Sequence, residues 1–171
     1  LQASQDAYAR LTRQGVAAFV DARGRTWRLS SYVEMAVRTV TQRAAVQGQT
    51  DRLQSVGVRL VVISNSPREC PRCRPWENKV LSLDGTVGRI RVESVTTGRM
   101  VTVDVEGTLD QARRSGLFHP NCTHSARAYL PGATRIPAGP TANPEGYEAK
   151  ERQREIERHI RAWKERAAAA L

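Results

Sequence analysis

The chain has 171 residues, of which 40% are hydrophobic and 5% aromatic, and its formal net charge is +10. This size suits one small domain with an appendage, and the scarcity of aromatic residues suggests a core that needs reinforcement, for example by a metal ion. No apolar stretch is long enough to span a bilayer, so we expect no membrane segment. The chain begins at Leu1 rather than Met, so we expect a cleaved, truncated or partly ordered N-terminus.

The positive charge is unevenly distributed. Residues 1–144 hold twenty basic and eleven acidic side chains, whereas residues 145–171 hold seven basic and six acidic ones. A basic globular part favours contact with polyanions, and nucleic acid is the obvious candidate. Because 24 of the 27 basic residues are arginine, a GC-rich coding sequence is an equally good explanation of the surplus.

The first predicted elements are a helix and a hairpin. Residues 2–14 are expected to form a helix that stops at Gly15. Residues 16–29 contain two apolar runs on either side of a polar turn, which predicts a β-hairpin. Trp27 is expected to anchor the second strand of this hairpin in the core.

An amphipathic helix is predicted next. Ser31 and Glu34 have the spacing of a capping box, and Gly48 is expected to end the helix after about sixteen residues. Its apolar stripe is predicted at Tyr32, Val33, Ala36, Val37, Val40 and Ala44. A short second helix is expected over residues 50–57, before a buried strand at residues 58–64.

The second half of the chain is predicted to consist mainly of strands, followed by one long helix. The strands are expected at residues 79–83, 87–93, 99–105 and 125–130. A short helix over residues 108–116 is predicted from the capping spacing of Thr108 and Gln111. Beyond it, proline and glycine mark a linker, and a thin apolar stripe predicts a charged C-terminal helix that either docks lightly on a neighbour or projects as an arm.

Two clusters of cysteine and histidine lie between these strands. Cys70 and Cys73 have the spacing of a zinc knuckle, and Cys122 and His124 form a second close pair. Together they supply three thiolates and one imidazole, a common donor set for structural zinc, and the odd number of cysteines disfavours disulfides. His119 is a further candidate, either in place of His124 or as a hydrogen-bond partner of a ligand. The alternative is that the cysteines are buried apolar residues and the histidines are unrelated to them.

The predicted architecture is therefore an α+β fold with a small, mostly antiparallel sheet, one long amphipathic helix, loops joined by zinc and a C-terminal arm helix. Residues 1–130 form the predicted domain, residues 131–146 the linker and residues 147–171 the arm helix. Asn121, inside the second cluster, is suited to the left-handed backbone that tight turns often need.

Enzymatic functions for these donors are constrained by spacing. A zinc deaminase would need His-x-Glu and Pro-Cys-x-x-Cys, and the chain has neither pattern. A cysteine nucleophile would need a thiol that binds no metal, and no pattern marks one. A metal-dependent nuclease of the His-Asn-His kind matches the residue types of His119, Asn121 and His124. Such a nuclease would need a helix with a second metal ligand after His124, and the strand predicted at residues 125–130 counts against it.

Six basic residues near the first cysteine pair and on the following strands are a candidate nucleic-acid surface: Arg68, Arg72, Arg74, Lys79, Arg89 and Arg91. Three acidic residues oppose them in the sequence, namely Glu69, Glu77 and Asp84. An ordinary solvated surface would have the same mixture of charges.

The order of these motifs resembles the Mu F-like phage minor head proteins, also called head morphogenesis or phage minor capsid protein 2 domains. The similarity covers roughly residues 30–132, through AVRT at 36–39, CPRC followed by Trp76, and GLFHPNCTH followed by YLPG. Many relatives have Arg at the position of Thr123 and Cys at the position of His124, and this second exchange keeps a metal donor. Relatives usually have Gly at the position of Asn78.

The resemblance implies a minor structural protein of a phage capsid that assembles in the bacterial host cytoplasm and lies inside the head. Portal or capsid proteins are the implied partners, and packaged DNA is a further one, through non-specific electrostatics. A structural Zn²⁺ is the expected cofactor. The alternative function is a metal-dependent nuclease, or a phage-delivered effector directed at nucleic acid, that uses His119 and His124.

Overall fold

The structure is a computed structural model that describes residues 2–13, 18–137 and 143–169. Its helices are α1 (Gln2–Arg13), α2 (Leu29–Ser55), α3 (Leu109–Arg114) and α4 (Pro144–Ala169). Its strands are β1 (Ala18–Val20), β2 (Thr26–Arg28), β3 (Leu60–Ile63), β4 (Val80–Ser82), β5 (Gly88–Glu93), β6 (Met100–Thr108) and β7 (Ala126–Ala128). The predicted helix stop at Gly15, the first two hairpin positions, linker residues 138–142 and the last two residues lie outside the described residues.

Strands β3 to β7 form one sheet in the order β5-β6-β4-β3-β7. All neighbouring strands pair antiparallel except β4 and β6, which are parallel, so the prediction of a mostly antiparallel sheet is confirmed. Inner strand β3, between β4 and β7, is buried at all four positions, as its unbroken run of apolar residues predicts. Each such buried side chain contributes about 1.5–3 kcal/mol of transfer free energy.

The two faces of the sheet are covered differently. One face packs against α2, α3 and the loop after α3, through Val46, Val61, Ile63, Leu81, Leu109, Ala112, Leu117 and Phe118. The other face is a smaller cluster of Leu60, Val80, Val103 and Val105, against which Tyr129 and Ile136 pack. Cys73 belongs to the first cluster and Cys70 and Cys122 pack against it, so the same core that holds the sheet also positions the cysteines.

Helix α2 differs from its prediction at both ends. It is one helix of 27 residues, and Gly48 does not end it. Val46 and Thr50 are buried on either side of this exposed glycine, so packing outweighs its cost of about 1 kcal/mol. The helix also starts before Ser31, with Leu29 buried and no side-chain cap, so the predicted capping box is wrong.

The apolar stripe of α2 is rotated from its predicted position. Val40, which was expected at its centre, is 66% exposed. The buried positions are Leu29, Val33, Thr39, Val46 and Thr50. Thr39 is buried because its hydroxyl donates to the carbonyl oxygen of Met35, at 2.7 Å, and thereby satisfies its polar atom.

The hairpin of β1 and β2 packs beside the start of α2. The rings of Trp27 and Tyr32 pack edge-on, with their centroids 5.9 Å apart. The Nε1 of Trp27 donates to Asp21 Oδ2 at 2.9 Å. It therefore belongs to a local aromatic group with Phe19 and Tyr32 and not to the core of the sheet, which corrects its predicted role.

The C-terminal helix lies against the domain. It begins at Pro144, earlier than predicted, because Asn143 Oδ1 accepts from the Gly146 N–H at 2.7 Å as an N-cap. Near its other end, Arg161 Nη1 lies 2.5 Å from Glu34 Oε2 of α2. Within the described residues no helix has both the length and the apolar character needed to cross a membrane.

Candidate metal centre

The first cysteine pair lies in the loop between β3 and β4. The N–H groups of Cys73 and Arg74 both donate to the carbonyl oxygen of Cys70 at 3.1 Å, which closes a tight turn. This turn leads into a 3-10 helix over Arg74–Trp76, and both Trp76 and Cys70 pack against the core. The side chain of Cys73 is fully buried, so one thiol of the pair faces the interior.

The second cluster lies in the loop between α3 and β7. The Cys122 N–H donates to the carbonyl oxygen of His119 at 2.9 Å, which forms a second tight turn. Asn121 has a φ of 64°, the left-handed conformation expected for it. Phe118 also has a positive φ, of 59°, which the sequence did not predict. Its ring is only 3% exposed, so packing in the core holds a backbone conformation that is costly for an aromatic residue.

The two loops bring five sulfur and nitrogen donors together. Cys70 Sγ lies 3.0 Å from His119 Nε2, Cys73 Sγ lies 3.6 Å from Cys122 Sγ, and Cys122 Sγ lies 3.4 Å from His124 Nδ1. Two groups of three donors each fit within 4.8 Å, one with Cys70 and His119 and one with Cys122 and His124. Both groups contain Cys73, so the buried thiol is their common point.

Each histidine has an outer hydrogen bond that fixes which nitrogen faces the sulfur atoms. His119 Nδ1 donates to the carbonyl oxygen of Pro120 at 2.7 Å, because that oxygen can only accept. His124 Nε2 lies 2.5 Å from Glu77 Oε1 and donates to this carboxylate. The remaining nitrogen of each ring therefore points at a cysteine, which is the arrangement of metal-binding histidines.

The sequence grouped Glu77 and Glu69 with the acids that oppose the basic residues, and it assigned neither of them to the metal site. Glu77 Oε1 also accepts from the Ser66 N–H at 3.0 Å, and its Oε2 has no hydrogen-bond partner among the described residues. Both glutamates are buried, at 5% and 1% exposure, so neither belongs to a solvated surface. A buried carboxylate behind a histidine orients the ring and raises its basicity as a ligand.

The pKa shifts favour a thiolate at the centre of the site. A hydrogen bond from Cys73 and others from His124 lower the pKa of the Cys122 thiol to about 3, although burial opposes the shift. Hydrogen bonding with Cys122 and burial raise the pKa of Cys73. Burial would lower the pKa of His124, but its bonds to Cys122 and Glu77 outweigh burial and raise it. A cysteine binds metal as its thiolate, so the lowered pKa of Cys122 favours the form that binds a metal ion.

The donor set fits a zinc ion. All five donors line one small cavity of about 30 Å³, which they share with residues of both loops and of α4. Sulfur and imidazole donors suit Zn²⁺, whereas Mg²⁺ and Ca²⁺ prefer oxygen. A tetrahedral ion takes four of the five donors, so the predicted set of Cys70, Cys73, Cys122 and His124 would fill it. His119 faces Cys70 with a free nitrogen and is the alternative fourth donor.

Helix α4 lies over this site. Tyr147, Lys150, Glu151 and Arg154 contribute to the cavity wall. Lys150 Nζ donates to the carbonyl oxygen of Arg68 at 3.4 Å, and Arg154 Nη2 donates to that of Asn121 at 3.5 Å. The helix therefore contacts both loops that supply the donors.

The start of α4 is tied to the first cysteine loop by Glu69. Its Oε1 accepts from the Asn143 N–H and from Arg74 Nε, both at 3.0 Å. Burial would raise the pKa of Glu69, but these hydrogen bonds outweigh burial and lower it.

The six basic residues predicted to face nucleic acid are dispersed. Arg68, Arg72 and Arg74 belong to the first cysteine loop, whereas Arg89 and Arg91 lie on the edge strand β5. Three of the six are paired with carboxylates: Arg74 with Glu69, Lys79 with Glu106 and Arg89 with Asp104. Nucleic-acid binding by this set stays a prediction.

The segment after His124 bears on the nuclease alternative. Ala126–Ala128 is strand β7, which pairs antiparallel with β3. A His-Asn-His nuclease would place a helix with a metal ligand there, so the nuclease alternative has no support in the fold.

A family model described as phage minor capsid protein 2 matches residues 1–171, the whole chain. No curated protein and no solved structure matches the chain.

Proposed function

The chain belongs to the phage minor capsid protein 2 family, and from this premise we propose that it is a structural protein inside the phage head, near the portal and the packaged DNA. The observation behind this proposal is the match of the family model over the full length of the chain. The family indicates a virion protein whose partners are other phage structural proteins. Portal and capsid proteins are the partners that we propose.

In this role the metal site would stabilise the domain by joining two of its loops. We propose that Zn²⁺ binds Cys70, Cys73, Cys122 and His124, with His119 as the alternative ligand. When bound, zinc supplies a cross-link between loops that are separated by 49 positions in the sequence. By the chain-entropy relation for a covalent cross-link, closing a loop of about fifty residues is worth about 4 kcal/mol. That is a large share of the total stability of a small domain.

The geometry of the site favours a structural over a catalytic metal. Four protein ligands leave no position for water or substrate, whereas catalytic zinc sites keep one open. Helix α4 also covers the cavity with Tyr147 and Arg154. The carboxylate of Glu77 lies behind His124, and both side chains are buried.

Proximity to DNA is supported by the charge of the chain. A net charge of +10 favours a position next to a polyanion, where it would partly neutralise phosphate repulsion. Such contacts are independent of base sequence and weaken as salt rises.

Protease protection in purified phage particles tests the location. In intact heads we expect the protein to be present and resistant to added protease, and in heads opened by heat we expect it to be digested. Cross-linking in intact heads should join it to the portal protein. Absence from purified particles, or digestion in intact heads, would contradict the proposal.

A further inference from the structure

A groove about 930 Å³ in volume lies between the β1–β2 hairpin and the C-terminal half of α4. We call it the arginine–tryptophan groove, and its charged and aromatic residues include Arg25, Trp27, Arg28, Arg158, Trp163 and Arg166. We propose that this groove binds a single-stranded nucleic acid segment through phosphate contacts and base stacking. The inference rests on the proposed position next to packaged DNA.

The charge of the groove is strongly positive. Five arginines line it, the fifth being Arg161, and none of the lining residues that the structure describes is acidic. Arg25 is paired with Asp21 at 2.7 Å and Arg161 with Glu34 at 2.5 Å. Within the described part of the chain, neither Arg158 nor Arg166 has a carboxylate partner. The groove therefore keeps positive charge that its own neighbours do not neutralise, which complements a row of phosphates.

The aromatic side chains distinguish this groove from the dispersed basic residues of the sheet. Trp163 is 67% exposed, and the guanidinium of Arg166 lies 5.2 Å from its ring centroid. On the other wall, Arg25 lies 5.4 Å from the ring of Trp27. Alternating guanidinium and indole groups are the combination that binds phosphates and unstacked bases together.

The geometry points to an unpaired strand. A duplex offers phosphates to the arginines, but its bases are stacked inside and cannot pack on an indole. From Arg158 to Arg166 the helix rises by about 12 Å, enough for a few nucleotides of an extended strand. The bond between Arg161 and Glu34 joins α4 to α2, and the hairpin packs on the same helix through Trp27 and Tyr32, so both walls of the groove contact α2.

Binding of a labelled dT12 oligonucleotide to the purified protein, measured by fluorescence anisotropy, tests the inference. Trp163→Ala should weaken binding by about 5- to 150-fold, the range for loss of one base–aromatic stack. Trp163→Phe should stay within a few-fold of wild type, because phenylalanine keeps a stacking face. Ile156→Ala is the matched control, since this residue is 60% exposed on the same helix and outside the groove.

Salt dependence tests the phosphate contacts separately. Arg158→Gln should reduce the slope of log K against log salt by about 0.7, the value for one phosphate of a single strand. Arg152→Gln removes the same charge from the same helix outside the groove and should leave the slope nearly unchanged. Circular dichroism of every variant establishes that it is folded.

Three results would overturn the inference. These are wild-type affinity in Trp163→Ala, a duplex of the same length binding as tightly as dT12, and polyglutamate binding as tightly as dT12. Polyglutamate binding would identify an acidic protein surface as the partner. The protease experiment on phage particles does not depend on this groove, and the oligonucleotide experiment does not depend on the location of the protein. Failure of the one can therefore be distinguished from failure of the other.

Discussion

Replacing Glu77 by glutamine removes the buried negative charge behind His124 and keeps the size of the side chain. In the native protein Glu77 Oε1 accepts from both His124 Nε2 and the Ser66 N–H, while Oε2 has no partner among the described residues. In the variant the amide oxygen can replace Oε1. The amide nitrogen then occupies the place of Oε2 and becomes a buried donor without an acceptor.

The size of the effect follows from these contacts. An unsatisfied buried polar group costs about 1–3 kcal/mol. For a domain of this length, that corresponds to a fall in Tm of about 2–12 °C. If His124 is a zinc ligand, loss of the carboxylate behind it should also lower zinc affinity by about 10- to 100-fold.

Two measurements on the purified protein check this prediction: zinc affinity by competition with a chromophoric chelator, and Tm by calorimetry. Glu106→Gln is the control, because it removes the same charge from a half-exposed residue whose partner is Lys79. If Glu77→Gln matches Glu106→Gln in both zinc affinity and Tm, the proposed role of Glu77 is wrong. A loss of Tm with unchanged zinc affinity would assign the fourth ligand to His119.

Three further predictions follow from the contacts around the site. Zinc removal by a chelator should lower Tm by about 8–16 °C, from the cross-link of about 4 kcal/mol, and an unchanged Tm would contradict a structural role for zinc. Glu69→Ala should speed amide exchange at the start of α4 without loss of zinc, because Asn143 loses its acceptor, whereas Glu148→Ala should leave exchange unchanged. Asn121→Ala should cost about 1 kcal/mol in chemical denaturation because φ is 64° there, whereas Asn121→Gly should cost less; equal losses would refute a backbone origin.

Local sequence signals predicted the elements whose causes are local. Thr108 caps α3 as expected, accepting from the Gln111 N–H at 3.0 Å, and the apolar run of β3 is a buried strand. Ser31 and Gly48 did not mark the start and end of α2 as predicted. Burial of Leu29, Val46 and Thr50 decides instead where that helix begins and how far it continues. Such tertiary contacts have no signature in a window of neighbouring residues.

The part of the candidate site that was predictable is the part encoded by close spacing in the sequence. Cys70 and Cys73 in one turn, and Cys122 and His124 in another, suggested a common ion before any geometry. Glu77 was missed because its partner His124 lies 47 positions away, and a glutamate between Arg74 and Lys79 resembles a surface residue.

The docking of α4 over the site was equally hidden in the sequence. It depends on the contact between Glu69 and Asn143, which are 74 positions apart. The thin apolar stripe of the helix left light docking and a projecting arm both open, and only the three-dimensional contacts place it against both cysteine loops.

The most direct test of the account is X-ray absorption at the zinc edge of the purified protein. We predict stoichiometric zinc surrounded by three sulfur atoms at about 2.3 Å and one imidazole nitrogen at about 2.0 Å. A protein that contains no zinc, or zinc surrounded mainly by oxygen, would contradict the claim that these two loops are joined by a structural metal.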